Sequence, residues 1–168
     1  MTLVGQQAPA WSGKAFKNGE KVGISSEDYS GKWLVMYWWP FSFTGICQSE
    51  VAAFEALKAE FDSSNIELVG LSCDSVHANA VWAQSDAFPG GVSHPLIGDA
   101  THQITKAFGF YSEAIGCAFR ATAVINPDGM VVSAAANFLP VARDPKDILS
   151  TARAFQSGQG CPVSNRPS

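Results

Sequence analysis

The sequence has no run of basic residues, no long apolar run and no pair of closely spaced cysteines, and each gap closes off a class of function. Lys and Arg together number 11 against 15 Asp and Glu, for a net charge of −4. That balance draws neither nucleic acid nor an anionic membrane surface, so neither is expected as a partner. The longest apolar run, Trp33 to Pro40, is far short of the roughly 20 residues that cross a bilayer. The opening "MTLVGQQAPAW" has neither the basic start nor the apolar stretch of a signal peptide. A cytoplasmic location is expected. Cys47, Cys73, Cys117 and Cys161 come no closer to one another than 26 positions. That spacing excludes a zinc knuckle and a dithiol CxxC motif, and four cysteines in a cytosolic chain of this size do not make a disulfide framework. His77, His94 and His102 have no metal-ligand spacing either, and no metal or cofactor is expected.

What is present is a core. Hydrophobic residues make up 46% of the 168 and charged residues 15%, which fits one globular domain. There is no internal repeat and no linker. "APAWSGKAFKNGEKVGISSEDYSGK" reads as short strands and turns. "WLVMYWW", Trp33 to Trp39, reads as a strand buried on both faces and stopped by Pro40. From Glu50 the period changes. Val51, Phe54, Leu57 and Phe61 recur at helical spacing until Ser63 to Asn65 breaks the pattern. Ile66 to Cys73 is a second buried strand, and Ser75 begins a helix marked by Val81, Trp82 and Phe88. "HPLIGD" is a short strand, "ATHQITKAFGF" a helix closed near Gly109, and "ATAVINPDGMVVSAAA" a hairpin about a Pro-Asp-Gly turn. Pro145 to Phe155 closes the fold as a helix with proline suited to its first turn. The order predicts an α/β fold whose central mixed sheet is flanked by helices, over residues 1–156. Residues 157–168, rich in Gly, Ser and Pro, are expected to be a flexible tail.

The chemistry lies in "PFSFTGICQSE", Pro40 to Glu50, where a strand C-terminus feeds a helix N-terminus. Open α/β sheets bind ligands outside the carboxyl ends of their strands. A helix N-terminus offers unsatisfied N–H groups and partial positive charge. A cysteine in such a first turn has its thiolate favoured, and the thiolate is the nucleophile. Taken alone, Cys47 fits a small buried hydrophobe as well. Thr44, three residues earlier, can bring its hydroxyl to the sulfur or to a substrate oxygen.

Pro40, Thr44 and Cys47 form PxxxTxxC, which resembles the active-site signature of the peroxiredoxins, the AhpC/TSA family. Arg120 in "FRATAVINPDG" matches that family's distant arginine. Glu50 stands at the acid of its "PTE" segment, "HANAVWAQ" resembles its helix with His and Trp, and "FLPVAR" its late loop. The resemblance implies a thioredoxin-like fold and a peroxidase acting on hydrogen peroxide and organic hydroperoxides. It implies catalytic roles for Cys47, Thr44, Arg120 and Pro40, with Thr44, Ile46, Cys47, Glu50 and Arg120 binding the substrate. Arg120 holds the thiolate and the developing oxyanion, Pro40 shields the sulfur, and Cys47 becomes a sulfenic acid. "FTGICQ" is similar to the loop of one-cysteine, AhpE-type members. "ARAFQSGQGCPV" is similar to the two-cysteine group and places Cys161 as the resolving thiol of a partner subunit. That implies a homodimer, which in some members assembles into decameric rings, and a thioredoxin-like or other thiol reductant. Cys117 is the second choice as resolver, and Cys73 reads as packing. Two alternatives remain: a one-cysteine peroxidase recharged by a small thiol or a glutaredoxin-like protein, and a holdase or redox relay without turnover. The Tyr-Phe extension of peroxide-sensitive members is missing after Cys161. Resistance to over-oxidation is therefore expected, and a low-millimolar peroxide titration that inactivates within a few turnovers would contradict it.

Overall fold

The computed structural model describes residues 2–167. Seven strands form one mixed sheet, in the order β2-β1-β5-β4-β3-β8-β9. They are β1 (Ser12–Lys17), β2 (Glu20–Ser25), β3 (Trp33–Trp38), β4 (Ile66–Ser72), β5 (Leu96–Gly98), β8 (Arg120–Ile125) and β9 (Val131–Asn137). A separate two-stranded ribbon joins β6 (Tyr111–Ser112) to β7 (Cys117–Ala118). The helices are α1 (Gly45–Ala56), α2 (Lys58–Ser63), α3 (Val76–Ala83), α4 (Gln103–Ala107) and α5 (Pro145–Gln156).

β3, β4 and β5 are parallel neighbours, joined first through α1 and α2 and then through α3. Parallel crossovers are right-handed, and both step across the sheet in the same direction. Both sets of helices must therefore cover the same face. The core on that face bears this out: Val35, Tyr37 and Trp39 pack with Val51 and Phe54 of α1, Phe61 of α2, Trp82 of α3 and Leu149 of α5. The alternate residues Leu34, Met36 and Trp38 enter a second core with Ile104 of α4, Phe108 and Phe110. β3 is thus apolar throughout because both of its faces are buried.

Two glycines let these layers close. A Cβ on Gly98 of β5 would lie 2.1 Å from the Val76 amide nitrogen at the start of α3. One on Gly70 of β4 would lie 2.7 Å from the Tyr37 ring. The expected helix running from Glu50 through Phe61 is broken at Leu57, whose backbone (φ −95°, ψ 3°) leaves helical geometry before α2 restarts. Val81 is exposed rather than a core marker, and Phe88 lies beyond α3, although it packs against Trp82. The ribbon β6–β7 has no counterpart in the sequence reading; strands of two residues carry no period to detect.

The interior also holds polar groups. His94 is fully buried, with Nε2 2.7 Å from the Tyr37 hydroxyl and Nδ1 2.6 Å from Glu55. Burial pulls the His94 imidazole below its ordinary 6.5, although Glu55 opposes the shift. Glu55 is held at about 2: its partial burial works against the shift, but the hydrogen bonds from His94 and Ser93 outweigh it. Both folded values lie below the unfolded ones, so the unfolded chain binds more protons as pH falls. Stability should be complete above pH 6.5, decline below it as His94 is forced to charge, and decline further below 4.5 as Glu55 must be protonated. Melting temperatures measured across this range should show the first decline flattened in His94→Asn; parallel curves would refute the assignment.

Candidate active site

β3 ends at Trp38, and the chain turns through Pro40 to Thr44 into α1. This turn is strained and tightly tied. Phe43 has φ +64°, a left-handed conformation that a bulky side chain rarely adopts. The ties come from Ser42. Its hydroxyl donates to Asn79 Oδ1 at 2.7 Å and accepts from Trp39 Nε1 at 3.1 Å, while its N–H donates to Asp74 at 3.0 Å. Asn79, fully buried on α3, also donates to Ser72 and to the Ile97 carbonyl, both at 3.1 Å. Loop, strand ends and helix are thereby locked together at the carboxyl edge of the parallel strands.

Thr44 caps α1 with extended backbone, and Cys47 sits in the first turn. The N–H groups of Gly45, Ile46 and Cys47 precede the first helical bond, which runs from Gln48 N–H to the Thr44 carbonyl. They point out of the helix end toward the loop. Cys47 is only 1% exposed, although Phe41, Phe43, Thr44 and Ile46 around it are exposed. The Thr44 hydroxyl does not donate to the sulfur. Its proton goes to the Phe41 carbonyl at 2.8 Å, which leaves its lone pairs to accept.

Sheet register delivers the arginine. β8 runs antiparallel to β3, with Thr122 opposite Tyr37 and Ile125 opposite Leu34. The start of β8 therefore lies at the end of β3, and Arg120 is its first residue. Arg120 Nη1 donates to Cys47 Sγ at 3.3 Å and to Glu50 Oε2 at 2.6 Å, and Nε donates to the Leu139 carbonyl at 2.6 Å. Burial alone would lower the guanidinium's proton affinity, but its bonds to Cys47 and Glu50 raise it above the ordinary value. It is a fixed cation.

Glu50 is one turn after Cys47 and 1% exposed. Both of its oxygens are taken. Oε2 accepts from Arg120, and Oε1 accepts from the Arg143 main-chain N–H and Nε, each at 2.9 Å. Glu50 was expected among the substrate-binding residues; in the structure it holds two arginines, Arg120 on Oε2 and Arg143 on Oε1. Arg143 Nη1 reaches the Ala121 carbonyl and Thr122 Oγ1. Sequence reasoning named no role for Arg143, Ser42 or Asn79. Arg143 lay within a loop already compared with the family, and Asn79 is a polar residue among the apolar residues of a buried helix face.

The other cysteines differ from Cys47. Burial raises Cys117 above its ordinary value, with a further push from the charge of Cys47 and a smaller pull from Arg120. Burial takes Cys73 to about 11, and its sulfur rests 3.6 Å from Thr105 Oγ1. Both are protonated at neutral pH. Cys161 is exposed, with Sγ 3.5 Å from the Asn165 carbonyl, in a tail that bonds α5 through Arg166 to Thr151 and through Ser150 to the Pro167 carbonyl. It lies beside Phe155 and Gln159, not among the groups that touch Cys47.

A profile of the AhpC/TSA family matches residues 4–134. The chain belongs to the AhpC/TSA family of peroxiredoxins. This AhpC/TSA member is 36% identical over 171 residues to the mitochondrial thioredoxin-dependent peroxide reductase of Mus musculus, covering 98% of this chain and 66% of that protein. It is 37% identical over 163 residues to Peroxiredoxin-4 of Dictyostelium discoideum, covering 93% of this chain and 63% of that one. The chain spans about two thirds of the length of these curated relatives. Among solved structures it is similar to Enterococcus faecalis AhpC, with a TM-score of 0.91, 27% identity, and coverage of 96% of this chain and 100% of that one. It is also similar to the reduced 2-Cys peroxiredoxin of Plasmodium vivax, with a TM-score of 0.93, 27% identity, and coverage of 99% and 90%. The expected thioredoxin-like α/β fold is therefore the fold of this AhpC/TSA protein.

The loop lock gives a direct test. Ser42→Ala strands the buried Trp39 indole N–H and removes the shorter of the two bonds on Asn79 Oδ1, which keeps the one from Ser72, and should cost about 2 kcal/mol of stability. Urea denaturation checks this, and a loss under about 0.5 kcal/mol would mean that the lock is not structural.

Proposed function

We propose that the protein is a thiol-dependent peroxidase that reduces hydrogen peroxide and organic hydroperoxides at Cys47. The observation that carries this reading is the Arg120 guanidinium, which touches Cys47 Sγ and Glu50 together inside a nearly dry helix N-terminus. The Cys47 thiolate attacks one peroxide oxygen, the O–O bond breaks, and the second oxygen leaves as alkoxide or hydroxide and takes up a proton. Cys47 becomes a sulfenic acid, and the peroxide becomes an alcohol or water. The Arg120 cation and the N–H groups of Ile46 and Cys47 face the charge that develops on oxygen. Thr44, its own proton given to Phe41, accepts the hydrogen bond of the hydroperoxide O–H. Pro40 is buried behind the loop and shapes it. Phe41, Phe43 and Ile46 form an apolar mouth.

The sulfenic acid then condenses with the thiol of Cys161 from a partner subunit, releasing water and leaving an intermolecular disulfide. Cys47 is too deeply buried to meet another sulfur in place, so the first turn of α1 must open for this step. A dithiol reductant of the thioredoxin class, the kind named for the mammalian relatives, reduces the disulfide.

Reductant-coupled peroxide consumption should vanish in Cys47→Ser and fall about 100-fold in Arg120→Lys, which cannot reach sulfur, carboxylate and carbonyl together. Non-reducing electrophoresis after one equivalent of peroxide should show a disulfide-linked dimer in the wild type and none in Cys161→Ser. A monomer that keeps its sulfenic acid would favour the one-cysteine reading, and absence of turnover would favour a holdase or relay.

A further inference from the structure

Tyr37 and His94, both fully buried, and the partly buried Glu55 form a polar chain that the reaction above does not use. Keeping such groups inside is costly unless each is satisfied, and here each is. Glu55 is a carboxylate and can only accept, so His94 Nδ1 donates to it across 2.6 Å. His94 Nε2 is then the acceptor, and the Tyr37 hydroxyl donates to it across 2.7 Å. Ser93 adds a bond to the other Glu55 oxygen at 2.6 Å. Donation runs one way, from Tyr37 to His94 to Glu55, which fixes the histidine tautomer and the rotation of the phenol.

The far side of that phenol leads to the site. The Tyr37 ring stacks on Phe54, with centroids 3.8 Å apart and planes at 17°. The Arg143 guanidinium carbon lies 5.8 Å from the Tyr37 ring centre and 5.9 Å from that of Phe54. Nε and Nη1 of Arg143 have oxygen partners, whereas its buried Nη2 has none among the described residues. Almost equidistant from two rings stacked on each other, the guanidinium lies against the shared edge of the pair, which bounds the space it can occupy. Glu50 and Phe54 are one turn apart on α1, and Glu55 follows, so a single helix carries the carboxylate that holds the arginines and the one that holds the histidine.

We propose that Tyr37, His94 and Glu55 are positioning residues that orient Arg143 and, through Glu50, set Arg120 against the sulfur. The inference rests on the peroxidase reading. A 1 Å error in an oriented group can cost 100-fold in rate, so partial loss of this support should be visible kinetically.

Tyr37→Phe keeps both rings and removes only the bond to His94. In single-turnover mixing with a small hydroperoxide, it should slow Cys47 oxidation about tenfold. Alkylation of Cys47 by iodoacetamide, which senses the thiolate that Arg120 faces but not an oxygen that Arg120 must hold, should slow distinctly less than oxidation does. General loosening of the fold would instead speed alkylation of a sulfur that is now buried. His94→Gln should act in the same direction; if it fails to fold, Tyr37→Phe decides alone. In an Arg143→Lys background, Tyr37→Phe should have little further effect, because the route it acts through is already cut. The proposal is overturned if Tyr37→Phe oxidises within twofold of wild type, if oxidation and alkylation slow equally, or if the two substitutions multiply. A wild type inert toward peroxide would bring down the peroxidase reading and this one with it. An active wild type with an unaffected Tyr37→Phe overturns this one alone.

Discussion

Glu50 sits between two arginines in a place that water barely reaches, and the arrangement of the site follows from that. Each of its oxygens meets a different guanidinium, Arg120 on one side and Arg143 on the other. Two cations and one carboxylate leave one positive charge uncompensated, and the group facing it is the sulfur of Cys47. A buried charge cluster of this kind contributes little to net stability, because desolvation offsets attraction. Its value lies in geometry. Removing Glu50 would leave two buried cations without a counter-charge, and removing either arginine would leave one carboxylate oxygen unpartnered, so the three members are held in one arrangement. That is what a reaction needs when its developing charge must meet donors already in place.

Three distant parts of the chain supply the cluster, and backbone structure brings them together. α1 offers Cys47 and Glu50 one turn apart. The antiparallel pairing of β8 with β3 carries Arg120 to the same edge of the sheet. Arg143 arrives from the loop after β9, where its main-chain N–H adds to its side chain in gripping Glu50. The opposing requirement is that the sulfur be reachable. Strain at Phe43 and the lock through Ser42 and Asn79 keep the turn open at its outer surface, while Cys47 stays covered beneath it.

Much of this was legible in the sequence. The apolar run from Trp33, the change of period after Glu50 and the Pro-Asp-Gly turn fixed the element order, because each depends on neighbours in the chain. Cys47, Thr44, Pro40 and Arg120 were legible as a set, since their spacing repeats that of a known family. What stayed hidden depends on tertiary register. Ser42 and Asn79 are 37 positions apart and meet only because α3 crosses beneath the turn. Tyr37 reads as one more aromatic of a buried strand, and its polarity matters only because β5 follows a loop that drops His94 against it. The break at Leu57 had no sequence signal either: leucine is a good helix former, and the residues on both sides keep the helical period. The Thr44 hydroxyl was expected at the sulfur or at a substrate oxygen; its bond to the Phe41 carbonyl was not legible, because that acceptor becomes available only once the turn has folded.

The same contrast separates the four cysteines. Residue type alone makes them equivalent thiols, and burial alone would rank Cys47 with Cys117, since both are almost completely enclosed. What distinguishes them is the kind of enclosure. Cys117 is surrounded by groups that make a negative charge there costly: a low-dielectric interior first, and then the charge of Cys47 itself. Cys47 is enclosed by a guanidinium and by the open N–H groups of a helix end. Hydration, the usual compensation for charge, is removed in both cases, and only at Cys47 do open N–H groups and a guanidinium in direct contact stand in its place, Arg120 acting on Cys117 more weakly and from a distance. The two buried sulfurs of this fold therefore differ in what faces them: a fixed cation and open N–H groups at Cys47, and a mostly apolar enclosure at Cys117 on β7.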